Sequence, residues 1–427
     1  MTPASTRSSI TPAARLRGRL TLPADKSIAH RALIFGALSG GPTMVTIRSP
    51  GLDVLSTLGC LRAVGVSIEQ SGERYLLSGR PSRDAVVDCG NSGTTMRLLA
   101  GAVAGLPLTV TLDGDASLRA RPMERVASIL RAAGVEVTTT DGRGPMTVVG
   151  RDPLMPVRHV LPVASAQLLG AAVLAGMSAQ GETTIEAPGP TRDHTERMLA
   201  HLGVPIHRDG RVTTVTGPAR PLPFDMEVPG DPSAASAWLV AAALHADADL
   251  TMVAVGLNPT RLALVGLLQR MGVEIETRVS EVSGAEPVGE ITVRGGRALR
   301  AVNISGGEVA QLIDELPLIA IAMASVGDTS EVRDAGELRV KETDRIAATV
   351  AGLAAIGAEV EALPDGWRVR RGTSQSARIA THGDHRIAIA FAVAAVAGVA
   401  SAVEIDDPDC VAVSYPGFWE DLAAVSG

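Results

Sequence analysis

Apolar and polar residues alternate along this chain in one arrangement that is written five times. LRAVGVSIE at residues 61–69 is followed by LRAAGVEV at 130–137, LAHLGVPI at 199–206, LQRMGVEI at 268–275 and LAAIGAEV at 353–360. The central glycines, Gly65, Gly134, Gly203 and Gly272, stand 69 residues apart, and Gly357 follows 85 residues later. Each copy reads as the end of a helix, a glycine where positive φ is tolerated, and a strand in which Val or Ile alternates with polar residues. A second strand ending in glycine closes each copy, at residues 75–79, 146–150, 212–217, 291–295 and 367–372. Upstream lie a further strand and an Ala/Leu-rich helix, for example 94–104 and 168–177, so the unit approximates βαβαββ. Residues 384–405 read as a degenerate sixth copy. A helix such as 387–397 is apolar nearly all round, which places it inside the protein. Six units divide into two α/β domains of three, with buried helices at the centre and sheets outside. The Val-Pro-Gly-Asp segment at 228–231 suits the hinge between them.

Composition narrows the function. With 46% hydrophobic residues in 427, the chain can bury a large core, yet the apolar run at 387–399 is shorter than the ~18–20 residues of a membrane span. Residues 1–18 are rich in Ser, Thr and Arg and lack acids, and no apolar signal segment follows, so they read as a ragged N-terminus. A net charge of −7 and 2% aromatic residues argue against a nucleic-acid partner. Cys60, Cys89 and Cys410 form no CxxC pair, which suggests neither disulfides nor a thiolate zinc site and fits a reducing cytoplasm. Among 39 basic residues, lysine occurs only at Lys26 and Lys341. An ammonium that survives such a preference for arginine marks a place where a compact, tunable cation matters.

Five polar clusters each precede a helix: DKSIAHR at 25–31, GNSGTTMR at 90–97, RARPMER at 119–125, VKETDR at 340–345 and GDHR at 383–386. Helix N-termini offer free N–H groups to anions, and these clusters gather cations in an otherwise acidic protein. Alone, residues 90–93 read first as a tight turn capping a helix, and Lys341, Glu342 and Arg345 as an exposed charge ladder, the commoner fate of such spacing. His382 and His385 have no third ligand nearby in sequence, so no metal site is expected. Walker A, GxGxxG, HExxH and GxSxG patterns are absent, which leaves anion clamps, acids and bases as the available chemistry.

Taken in order, LPADKSIAHR, DCGNSGTTMRLL, DASLRARPMERV, SAQ, TRDHTERM, GLNPTR, LIDELP, ELRVKETDR and GDHRIAIAF resemble the 5-enolpyruvylshikimate-3-phosphate (EPSP) synthase family of enolpyruvyl transferases over roughly residues 17–420. The resemblance implies a two-domain inside-out α/β barrel with crossovers near residues 20–22 and 228–231. One lobe would comprise residues 22–228 and the other 1–21 with 229–427, with the active site in the interdomain cleft. It implies transfer of the enolpyruvyl group of phosphoenolpyruvate to the 5-hydroxyl of shikimate 3-phosphate, without metal or organic cofactor, by a cytoplasmic monomer that glyphosate inhibits.

Carried onto this sequence, the shikimate 3-phosphate contacts are Lys26, Ser27, Arg31, Ser165, Ala166, Gln167, Arg192, Asp314, Glu337 and Lys341. The phosphoenolpyruvate contacts are Lys26, Asn91, Gly93, Thr94, Arg121, Gln167, Glu342, Arg345 and Arg386. The catalytic set is Asp314, accepting the proton of the attacking hydroxyl, Glu342, transferring a proton at the pyruvyl C3, and Lys26. Glu315 adjoins Asp314, and capping a helix that begins at Leu316 is the other role open to Asp314. Three positions depart from the family pattern: Val413 stands where many relatives carry lysine, Ala166 beside Ser165, and Glu337 where some use asparagine. The rival readings are a transferase acting on UDP-N-acetylglucosamine and a divergent anion-binding relative with weak activity. The first would need a cysteine in a flexible Gly-rich loop, which neither Cys60 nor Cys89 occupies.

Overall fold

A computed structural model describes residues 9–427; the first eight residues of the expected ragged N-terminus and of its lobe lie outside the described residues. The chain forms two units. One, here the Lys26 unit, comprises Ala24–Pro229 and Val282–Pro287; the other, the Lys341 unit, comprises residues 9–23, Gly230–Glu281 and Val288–Gly427. Each therefore holds one of the two lysines.

The repeat is visible in both. Gly65, Gly134, Gly203, Gly272 and Gly357 have φ of +100°, +89°, +80°, +106° and +88°, the left-handed region in which a helix ends and turns into a strand. In the Lys26 unit three four-stranded sheets repeat one plan. An outer strand pairs in parallel with a second across a helical crossover, and an antiparallel hairpin completes the sheet. Strand Asp225–Glu227 supplies the outer position beside Thr43–Thr46, so the last strand of the unit completes its first sheet. The Lys341 unit does the reverse: Leu16–Thr21 pairs in parallel with Ala248–Gly256, from Leu16↔Ala248 to Thr21↔Val253. The sixth copy is shorter. Strands Ser376–Ile379 and Ala402–Ile405 form a two-stranded sheet, and the turn Pro408–Val413 with helix Phe418–Val425 replaces the closing hairpin.

Inside each unit, three mostly buried helices pack beneath the sheets. They are Lys26–Ser39, Gly93–Ala104 and Ala166–Gly176 in one, and Pro232–Leu244, Leu316–Ala324 and His385–Val396 in the other. Small residues let these helices approach closely. A Cβ on Gly101 would lie 2.4 Å from the carbonyl oxygen of Ala171, so the second and third helices of the Lys26 unit could not pack as they do with any larger residue there. The scarce aromatics gather in the other core. Trp238 Nε1 donates to Tyr415 Oη at 3.0 Å, and the Trp238 ring packs on Phe418 at 5.6 Å between centroids. Among the described residues, no helix is long and apolar enough to cross a membrane.

Candidate active site

The polar clusters do open helices, and each unit assembles its own set of charged groups around them. In the Lys26 unit, Asp25 caps helix Lys26–Ser39 by accepting from the Ile28 N–H at 3.0 Å. Lys26, the first residue inside, pairs with Asp53 at 2.9 Å while keeping a fifth of its side chain exposed. One turn on, Arg31 is buried and clamped from three sides. Its Nε donates to Thr195 Oγ1 at 2.8 Å, its Nη1 to the Ser27 carbonyl at 2.9 Å and its Nη2 to the Ala166 carbonyl at 3.5 Å. Burial lowers the Arg31 pKa to about 10, with the Glu196 and Asp25 carboxylates opposing that shift and the Arg192 guanidinium adding to it. The group still carries its charge at neutral pH.

Two further helices bring their N-termini to the same unit. Ser92 caps Gly93–Ala104 by accepting from the Thr95 N–H at 3.1 Å, so residues 90–93 are a capping turn and more. Asn91 donates to Asp115 at 2.7 Å and accepts a short hydrogen bond from Arg121 Nη2. Ser165 caps Ala166–Gly176, whose Gln167 accepts from Arg97 Nη1 at 2.8 Å and donates to Thr94 Oγ1 at 2.8 Å. A Cβ on Gly93 would lie 2.5 Å from Arg97 Nη1 and 3.4 Å from Arg121 Nη1. The backbone of Gly93 thus faces two guanidinia.

The Lys341 unit holds the carboxylates. Asp314 lies 3.5 Å from Lys341 Nζ and 3.7 Å from Arg345 Nη1, and its carbonyl accepts from Arg386 Nη1 at 2.8 Å. Glu342 accepts from Arg345 Nη2 at 2.6 Å, and Asp384 from Arg345 Nε at 2.7 Å. Arg345 is 1% exposed, so Lys341, Glu342 and Arg345 are not an exposed ladder. Burial would lower the Arg345 pKa, but the carboxylates of Asp384, Glu342 and Asp314 outweigh it and raise the pKa above its ordinary value. The N-cap of helix Leu316–Ala324 is Glu315 and no side chain bonds there, so Asp314 is not serving as a cap. Glu315 instead accepts from Ser233 Oγ at 2.5 Å and stands 3.7 Å from Arg386. Glu337 is exposed in the turn Gly336–Val340. No group of three or more His, Cys, Asp or Glu among the described residues could hold a metal ion. The two units thus present one basic set, with capped helix N-termini, and one set in which carboxylates are held among cations.

The comparison with known proteins decides what this arrangement belongs to. The family model described as EPSP synthase (3-phosphoshikimate 1-carboxyvinyltransferase) matches residues 10–422. The chain belongs to the EPSP synthase family. Within that family, the chain is 43% identical to the 3-phosphoshikimate 1-carboxyvinyltransferase of Herpetosiphon aurantiacus, over 98% of this chain and 99% of that protein. It is 44% identical to that of Roseiflexus sp. (strain RS-1), with the same coverage. The EPSP synthase structure from Acinetobacter baumannii superposes with a TM-score of 0.85 at 36% identity, over 98% of this chain and 97% of that one. The enolpyruvyl transferase NikO from Streptomyces tendae shares the fold, with a TM-score of 0.76 at 20% identity over 98% and 96%.

Four residues that join the EPSP synthase sets were not among the expected contacts. Arg97 and Asp384 lie inside quoted motifs, and their charge at a helix start was the available signal. Thr195 also lies inside one, TRDHTERM, but is uncharged, and Asp53 lies in none; their partners Arg31 and Lys26 are 164 and 27 residues away. The departure at Val413 falls at the end of the turn Pro408–Val413, where the side chain is half-buried. Cys60 and Cys89 are both buried, the first inside helix Leu52–Ala63 and the second between strand Ala85–Asp88 and the Gly90 turn. Neither has the exposure that a loop nucleophile requires.

Proposed function

We infer that this chain is a 3-phosphoshikimate 1-carboxyvinyltransferase: it transfers the enolpyruvyl group of phosphoenolpyruvate to the 5-hydroxyl of shikimate 3-phosphate, giving EPSP and phosphate. One observation carries the reading. Whole-chain relatives at 43–44% identity bear that name. Both substrates are polyanions with a phosphate and a carboxylate, which forked guanidinia bind in bidentate geometry.

Lys26, Ser27, Arg31, Ser165, Ala166, Gln167, Arg192, Asp314, Glu337 and Lys341 bind shikimate 3-phosphate. Lys26, Asn91, Gly93, Thr94, Arg121 and Gln167, with Glu342, Arg345 and Arg386, bind phosphoenolpyruvate. Asp314 accepts the proton of the 5-hydroxyl as its oxygen bonds to C2, and Glu342 delivers a proton to C3. Expulsion of phosphate from the tetrahedral adduct breaks the C2–O bond to phosphate, and C3 returns its proton. Lys26 and the guanidinia hold the charge that gathers on phosphate during this step. The enzyme works as a cytoplasmic monomer, and glyphosate competes with phosphoenolpyruvate.

The test is phosphate release by the purified chain with both substrates and no added metal. One phosphate per EPSP is expected. Absence of turnover across pH 6–9, or turnover with UDP-N-acetylglucosamine instead, overturns the reading. Light scattering after size exclusion checks the monomer.

A further inference from the structure

Six residues of a long hairpin, Val282–Pro287, belong to the Lys26 unit, although the chain on both sides of them belongs to the Lys341 unit. Contacts with the Lys26 unit seat this tip. Ser283 Oγ donates to the Glu227 carbonyl at 2.8 Å. Gly284 lies so close to Met226 that a Cβ would sit 2.9 Å from its Cε. Glu286 Oε1 accepts from His194 Nδ1 at 2.7 Å, with the two side chains 0% and 1% exposed.

The last contact is the unusual one. A buried carboxylate–imidazole pair is a weak source of stability compared with apolar residues of the same volume, so its physical effect is to fix geometry and field. His194 opens helix His194–His201. The next residue, Thr195, holds Arg31 Nε, and two residues before lies Arg192. The Glu286 carboxylate also acts on the Arg31 guanidinium through space, as do those of Glu196 and Asp25.

We propose that Glu286 is a positioning residue for shikimate 3-phosphate: through His194 it sets the start of the helix that orients Arg31 and Arg192. The proposal rests on the function inferred above and deepens it. It gives the TRDHTERM motif a role that a list of ligand contacts does not.

Steady-state kinetics of the full chain test it, with Glu286→Ala, Glu286→Gln and Ser283→Ala. Glu286→Ala should raise KM for shikimate 3-phosphate about tenfold, the effect of removing one hydrogen bond to a buried charged group, with KM for phosphoenolpyruvate and kcat within about threefold. Glu286→Gln, whose amide oxygen still accepts from His194, should recover most of that loss. Ser283→Ala, which touches the tip but not His194, should leave both constants unchanged. An unchanged shikimate 3-phosphate KM in Glu286→Ala overturns the proposal, as does a parallel loss in both substrates and kcat, or a Glu286→Gln no better than Glu286→Ala. Should Glu286→Ala fail to fold, Glu286→Asp takes its place: a raised shikimate 3-phosphate KM supports the proposal and an unchanged one overturns it. A wild-type chain without EPSP turnover would overturn the inferred function, and this proposal with it.

Discussion

Replacing Gly93 by alanine adds one methyl group at the point where the backbone faces two guanidinia. The new Cβ would stand 2.5 Å from Arg97 Nη1, well inside ordinary contact, and 3.4 Å from Arg121 Nη1. The obstacle is the far end of a flexible side chain, so the fold can yield by moving Arg97. Its bonds to the Gly93 carbonyl at 3.2 Å and to Gln167 at 2.8 Å cannot both survive that shift. One lost hydrogen bond to a charged group is worth ~1.5–3 kcal/mol, which at ~1.4 kcal/mol per decade is about 10- to 100-fold. The expected result of Gly93→Ala is that rise in KM for phosphoenolpyruvate, with a smaller rise for shikimate 3-phosphate, which shares Gln167. The melting temperature should fall by a few degrees, because the same bond is lost from the folded chain. Glyphosate should lose at least as much affinity as the donor, because the methyl group narrows the space both need. Phosphate release at varied phosphoenolpyruvate and saturating shikimate 3-phosphate measures the first effect, and inhibition at fixed donor the last. A donor KM within twofold of wild type, or an equal rise for both substrates, would refute the argument.

Other consequences are as specific. Glu342→Gln keeps the shape of the side chain but not its proton chemistry, and should lower kcat by about 10²- to 10⁴-fold while fluorescence or calorimetric titration still registers shikimate 3-phosphate binding. Asp384→Asn removes one of three carboxylates around the buried Arg345, the one it bonds at 2.7 Å, while Glu342 and Asp314 remain; urea unfolding should show a loss of ~1.5–3 kcal/mol. Burial, reinforced by the Lys26 and Arg31 charges, holds the His30 pKa well below its ordinary value. The folded form thus resists a proton that the unfolded chain accepts, so this stabilisation is complete above about pH 6.5 and lost as pH falls towards the folded pKa. Unfolding free energy measured between pH 7.5 and 5 should decline by up to ~1.4 kcal/mol per pH unit on this account, and His30→Gln should flatten the slope.

Much of the architecture was legible before any coordinates. Gly65, Gly134, Gly203, Gly272 and Gly357 mark helix ends because positive φ is a local demand that only a few residue types meet, and all five adopt it. The flanking Val/Ile alternation is equally local. It marks strands Ser67–Ser71, Glu136–Thr140, Ile206–Asp209, Glu274–Ser283 and Glu359–Leu363 in five copies. The motif cations could be placed at helix starts for the same reason, since Asp25, Ser92, Ser165 and Asp384 are residues that cap.

Partners were not legible. Lys26 needs a carboxylate, and any of 46 acids could have served until packing chose Asp53. Arg345 finds Asp384 across 39 residues and His194 finds Glu286 across 92. Nor does local pattern say that Leu16–Thr21 waits for Ala248–Gly256, or that the sixth copy drops its hairpin. Backbone preference and periodicity are properties of neighbouring residues and are written in order along the chain. The pairing of a buried charge depends on which side chains the packed core brings within about 4 Å, and that distance exists only after folding.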